Sequence, residues 1–149
     1  MNQYFSCSLY QGDWAENWWG GCYWGTKNNY QFVSEAGMKF IFLHLEYDPD
    51  NKVLNWAKTI MENYPERKVV ITTHSYLALD GSRNEIGKEM WRELAAEHGN
   101  VELVLSGHEH GEARSTETEG SRKAHQLLAD YQDRPNGGNG WIRLLTFDT

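Results

Sequence analysis

Apolar and polar positions divide this chain into stretches of different period. Met38-Lys39-Phe40-Ile41-Phe42-Leu43-His44-Leu45-Glu46-Tyr47 is nearly continuous in apolar residues, the pattern of an interior strand. Asp48-Pro49-Asp50 breaks it, and Asp50 or Asn51 is placed to cap a following helix. Val53, Leu54, Trp56, Ala57, Ile60, Met61 and Tyr64 then recur at three and four, the apolar stripe of an amphipathic helix that Pro65 ends. Lys68-Val69-Val70-Ile71-Thr72-Thr73-His74 reads as a second strand. A second helix is predicted from about Asn84 to His98, with Ile86, Met90, Trp91, Leu94 and Ala95 on one face, and Val101 to Leu105 forms a third strand. Strand, helix, strand, helix, strand predicts βαβ units and a largely parallel sheet.

The flanks are less periodic. Residues 1–30 crowd Tyr4, Phe5, Tyr10, Trp14, Trp18, Trp19, Tyr23, Trp24 and Tyr30 among Gly, Asn and Ser. No period persists there, which predicts a loop-rich segment lying over something apolar. After Gly111 the chain is polar through Ser121, as in an exposed loop. His125 to Tyr131 and Trp141 to Phe147 are two further strand candidates, joined by the turn-rich Arg134-Pro135-Asn136-Gly137-Gly138-Asn139-Gly140.

Length and composition narrow the function classes. The 149 residues suit one compact domain. Seven Trp, eight Tyr and five Phe exclude a disordered chain. A formal net charge of −7 argues against nucleic-acid binding through phosphate neutralisation. An acidic protein that handles phosphates needs borrowed positive charge, commonly a metal ion. Met1 to Phe5 carry no basic region leading into an apolar run, so no secretory signal is expected, and no stretch is long enough to span a bilayer. The expected protein is soluble and not membrane-bound. Cys7 and Cys22, fifteen positions apart, can close a loop or remain two thiols.

Candidate chemistry sits in the histidines. His74 ends a strand, and His108 and His110 follow another in Ser106-Gly107-His108-Glu109-His110-Gly111. Ligands gather outside the carboxyl ends of parallel strands, so parallel neighbours would bring all three imidazoles to one edge. Imidazole suits zinc, manganese and iron. His98 at a helix end reads as a favourable charge there, His125 has no partner nearby in sequence, and His44 reads as a satisfied core histidine.

Thr72-Thr73-His74 followed by Gly107-His108-Glu109-His110 resembles the last two sequence blocks of the calcineurin-like metallophosphoesterases, an isolated His after a strand and a later G-H-x-H. Lys39 to Tyr47, Leu54-Asn55-Trp56-Ala57, Tyr131-Gln132-Asp133 and Gly138-Asn139-Gly140-Trp141-Ile142-Arg143-Leu144-Leu145 are also similar to bacterial members. The likeness runs from about Tyr30 to Phe147. It implies an α/β fold, a β-sandwich with flanking helices. It implies that His74 and His108 ligate one metal of a dinuclear site and His110 the other, the ions being Mn, Fe, Zn, Co or Ni. It implies hydrolysis of phosphate mono- or diesters, small phosphate-ester substrates, through a metal-activated hydroxide.

The chain also departs from the family. The earlier blocks, D-x-H, G-D-x-x-D and G-N-H-D or E, are not present as such, and Gly12-Asp13-Trp14-Ala15-Glu16 has only the outline of the second. The expectation is therefore a single truncated domain over 1–149, an aromatic segment 1–30 before a family-like core 31–149. The sandwich would be incomplete and would be completed by association into a homo-oligomer, with segments exchanged between copies. Glu46, Asp48, Asp50, Asp13, Glu109 and His44 are further potential donors; for Asp48 and Asp50 the competing role is a turn and a cap. Two other readings stand beside the enzyme: an inactive scaffold holding at most one metal, and a module that binds carbohydrate on its Trp-rich segment.

Overall fold

A computed structural model describes residues 7–10, 17–24 and 27–148, so Asp13 and the rest of the outline 12–16 lie outside the described residues. Seven strands form one mixed sheet: β1 (Trp19–Cys22), β2 (Asn29–Glu35), β3 (Met38–His44), β4 (Lys68–Thr72), β5 (Val101–Ser106), β6 (Gly111–Glu119) and β7 (Arg122–Asp130). Their spatial order is β1-β2-β3-β4-β5-β7-β6. The central β3, β4, β5 and β7 run parallel, and β1, β2 and β6 add antiparallel margins. Helix α1 (Asn51–Asn63) links β3 to β4; α2 (Glu85–Met90), continued by a π-helical turn Trp91–Ala95, links β4 to β5. The class is the expected α/β, with one sheet of the implied sandwich formed by the described residues.

Local chemistry explains these elements. Asp50 caps α1 by accepting from the amides of Lys52 and Val53 at 2.9 and 3.0 Å, and Val53, Leu54, Ala57, Ile60 and Met61 of the stripe are buried. Asn84 caps α2 through the Gly87 amide. The two helical connections touch each other, with Lys58 of α1 paired to Glu93 of the π turn. Under them one core gathers Ile41, Leu43, Val69, Ile71, Val104 and Leu128 from alternate positions of the parallel strands, the period-two rule at work. The opposite face carries a smaller cluster of Phe40, Val70 and Leu103.

Three expectations are corrected. The polar stretch after Gly111 is strand β6, paired residue for residue with β7 from Gly111↔Asp130 to Glu119↔Arg122. An edge strand with an exposed face has no need of an apolar run, so its polarity masked it. Trp141 to Phe147 forms no strand. It crosses the second sheet face, with Phe147 against Phe40 at 5.1 Å between ring centroids, while Ile142 and Leu144 are 78% and 85% exposed. An apolar run becomes a strand only with a partner to pair with. In the aromatic segment, β1 and the start of β2 replace the predicted loop. Tyr23 and Tyr30 of that segment pack on Trp56 of α1. Cys7 and Cys22 are bonded to each other. Among the described residues no helix is long and apolar enough to cross a membrane.

Gly87 gives a test of this packing. Replacing a helical Gly by Ala usually stabilises by about 1 kcal/mol, yet a Cβ here would overlap the Tyr76 backbone carbonyl. The Gly87→Ala protein should lose roughly 1–3 kcal/mol in urea denaturation; an unchanged or higher midpoint would contradict the packing of α2 on the β4–α2 loop.

Candidate functional site

The four parallel strands end at one edge, closed by His44, Thr72, Ser106 and Asp130. There the pairing of β4 with β5 continues past both strands. The Thr73 amide donates to Leu105 O at 3.0 Å, and the Gly107 amide to His74 O at 3.1 Å. These bonds tie the two loops and set His74 beside His108. Their ring centroids are 4.9 Å apart, and His108 Nδ1 lies 3.1 Å from His74 Nε2.

His108 reaches this position through a rare backbone shape. Its φ is +75°, and the Glu109 amide donates to Gly107 O at 3.0 Å, which together make a γ-turn centred on His108. Such turns are strained and cost of order 1–3 kcal/mol. Gly111, two residues after the turn, has φ +155° and opens β6. Strain of this kind persists where surrounding structure holds it, here the ladder bond to His74.

Tyr47 completes the group, with its ring 5.7 Å from His74 and 5.8 Å from His108. It is placed by its neighbour. Glu46 exchanges two bonds with the buried Asn28 side chain, its amide donating at 2.8 Å and its carboxylate accepting at 2.7 Å. Its carbonyl accepts from the Thr73 hydroxyl.

Several of the remaining candidates have other partners. Glu46 is occupied by Asn28, and Asp50 is the α1 cap. Asp48 sits in a turn at φ +49°. His44 bonds Thr72 Oγ1 at 2.6 Å, and burial holds its pKa below the usual histidine value. His125 bonds Thr116 across the β6–β7 pair. His98 has a buried Nε2 with no hydrogen-bond partner. His110 lies on the same loop as His108 but faces elsewhere. Its Nδ1 is 2.7 Å from Asp133 Oδ2, and its Nε2 meets the Gln132 amide. The Asp133 hydrogen bond raises the His110 pKa above the usual value. Tyr47, Gln132 and Asp133 were given no role by sequence reasoning, although Gln132 and Asp133 stand within the family-like ending.

The two imidazole nitrogens share a hydrogen bond at 3.1 Å, and the same placement suits two ligands of one cation. Neighbouring ligands each about 2.1 Å from one ion, at roughly 90–110°, lie about 3.0–3.4 Å apart, which matches the His74–His108 separation. Nitrogen donors suit zinc, manganese or iron. The fit is partial, because among the described residues no group of three or more His, Cys, Asp or Glu is arranged to hold a metal.

Residues 3–112 match the family described as calcineurin-like phosphoesterase. The chain belongs to that family. Members generally use divalent metals, and the matched span contains His74, His108 and His110. This phosphoesterase-family chain is also similar to the uncharacterized protein YvnB of Bacillus subtilis (strain 168), with 34% identity over 137 residues. That match covers 87% of the chain and 11% of YvnB, so the chain spans about a ninth of the relative's length.

The half-buried His44 gives the site edge a pH signature. Its folded pKa is depressed while the unfolded value stays near 6.5. The unfolded chain therefore binds the proton first, and this contribution to stability falls as pH drops from about 7 toward about 5. His110, with a raised pKa, contributes the opposite slope. Urea denaturation of wild type and His44→Gln across this range should show a wild-type advantage that shrinks on acidification. A constant difference would contradict the assignment.

Proposed function

We propose that this chain carries the carboxyl-edge half of a metal-dependent phosphoesterase centre that hydrolyses phosphate mono- or diesters. The observation that carries the proposal is the convergence of His108 Nδ1 and His74 Nε2 at 3.1 Å beside a strained γ-turn. His74 and His108 would hold one divalent ion, and His110 would serve a second. A bound divalent ion supplies Lewis acidity and neutralises phosphoryl charge, which this acidic chain, at a formal −7, is poorly equipped to do alone. The chain's own groups orient the site. The ladder bond from Gly107 to His74 holds the two imidazoles in register. Tyr47, 53% exposed, walls one side of them and leaves part of its ring open toward an incoming ester.

A second reading is a folded scaffold that holds at most one metal without turnover. It draws support from the lack, among the described residues, of a third donor beside the histidine pair.

The enzyme reading is tested by hydrolysis of p-nitrophenyl phosphate and bis(p-nitrophenyl) phosphate with Mn²⁺, Zn²⁺ or Co²⁺. His74→Ala, His108→Ala and His110→Ala should each fall to background, and His98→Ala should retain wild-type turnover. Equal turnover in all four variants would end the site assignment.

A further inference from the structure

Where His110 could have joined the other two imidazoles, it is instead gripped from both ring nitrogens by the turn after β7. We propose that Asp133 is a positioning residue for His110, fixing the tautomer protonated at Nδ1 and leaving the lone pair on Nε2, the nitrogen that the Gln132 side chain meets. That Nε2 then serves a metal rests on the function proposed above; the tautomer itself does not.

The chemistry of the Asp133 contact selects one tautomer. An ionised carboxylate only accepts, so Asp133 Oδ2 at 2.7 Å from Nδ1 requires the proton there. The Gln132 side-chain amide meets Nε2, but by rotating it can present its nitrogen or its oxygen there, so it accommodates either tautomer. The Asp133 contact alone makes the assignment. An imidazole with a carboxylate on one nitrogen and a free lone pair on the other is the arrangement that orients histidine ligands in metal sites.

The turn carrying these partners is itself anchored. The Gln132 backbone amide donates to Asp130 Oδ1 at 3.1 Å, and Asp130 ends β7 opposite Gly111. The Arg134 amide closes the turn on Tyr131 O at 2.9 Å. The Arg134 side chain reaches Glu112 at 3.4 Å, which Arg143 holds at 2.8 Å. Gly138, at φ +85°, packs so closely on Tyr131 that a Cβ would clash. Asp133 itself is 74% exposed, where ion pairs add little to stability. Its effect is on orientation rather than on folding.

The direct test is the ring ¹⁵N chemical shifts of His110 in the metal-free protein at alkaline pH, where the ring is neutral. Wild type and Asp133→Asn, whose amide oxygen still accepts, should be protonated at Nδ1. Asp133→Ala should become a mixture of tautomers with its denaturation midpoint unchanged. Protonation at Nε2 in wild type, or identical shifts in wild type and Asp133→Ala, would overturn the proposal. Zn²⁺ titration by calorimetry separates it from the functional reading. Asp133→Ala should bind about 10- to 100-fold more weakly. Equal Zn²⁺ affinity with an altered tautomer would keep the Asp133 hold on His110 and remove His110 from the metal shell.

Discussion

The candidate site depends on a backbone ladder that outruns its strands. Parallel pairing of β4 with β5 ends formally at Thr72↔Leu105, yet two more bonds, Thr73 to Leu105 and Gly107 to His74, carry the register into the loops. Without that extension His74 and His108 would sit on two independent loops, and the 3.1 Å approach of their nitrogens would have nothing to fix it. The same extension holds the γ-turn at His108, whose left-handed φ a non-glycine residue adopts only at a cost. Helices α1 and α2 serve this arrangement indirectly. By burying Ile41, Val69, Ile71 and Val104 on one face, they fix the sheet whose edge presents the histidines.

Much of this central frame was legible in the sequence, and the reason is physical. Buried parallel strands read as apolar runs; β3 and β4 lie within the runs predicted for them, and β5 runs one residue past its own, to Ser106. The α1 stripe stands out because a helix packed on a sheet hides one side only. The margins were not legible. β6 has one open face and no neighbour beyond it, so its sequence, Gly-Glu-Ala-Arg-Ser-Thr-Glu-Thr-Glu, resembles a loop. Trp141 to Phe147 shows the converse: its apolar residues match a strand, but pairing depends on a neighbour that local pattern does not report. The pairing of Cys7 with Cys22 likewise depended on β1 folding back beside the Cys7–Tyr10 turn.

For the site, residue types and spacing reached the histidines but not their geometry. G-H-x-H pointed to His108 and His110, and the parallel order placed His74 beside the first of them. In extended backbone, side chains two positions apart share a face. The γ-turn at His108 breaks that alternation, and His110 turns to Asp133. Two of the carboxylates offered as extra donors were absorbed by local duties, a cap for Asp50 and the Asn28 exchange for Glu46, the competition that polar side chains near backbone amides present.

The central claim is that His74 and His108 together form a metal-ligating pair. It is tested most directly by elemental analysis of gel-filtered protein after incubation with Mn, Fe, Zn, Co and Ni. The account predicts at least about one equivalent of metal per chain in wild type, lost in a His108→Ala protein of unchanged fold. Wild-type protein holding less than about a tenth of an equivalent of any of them would contradict it.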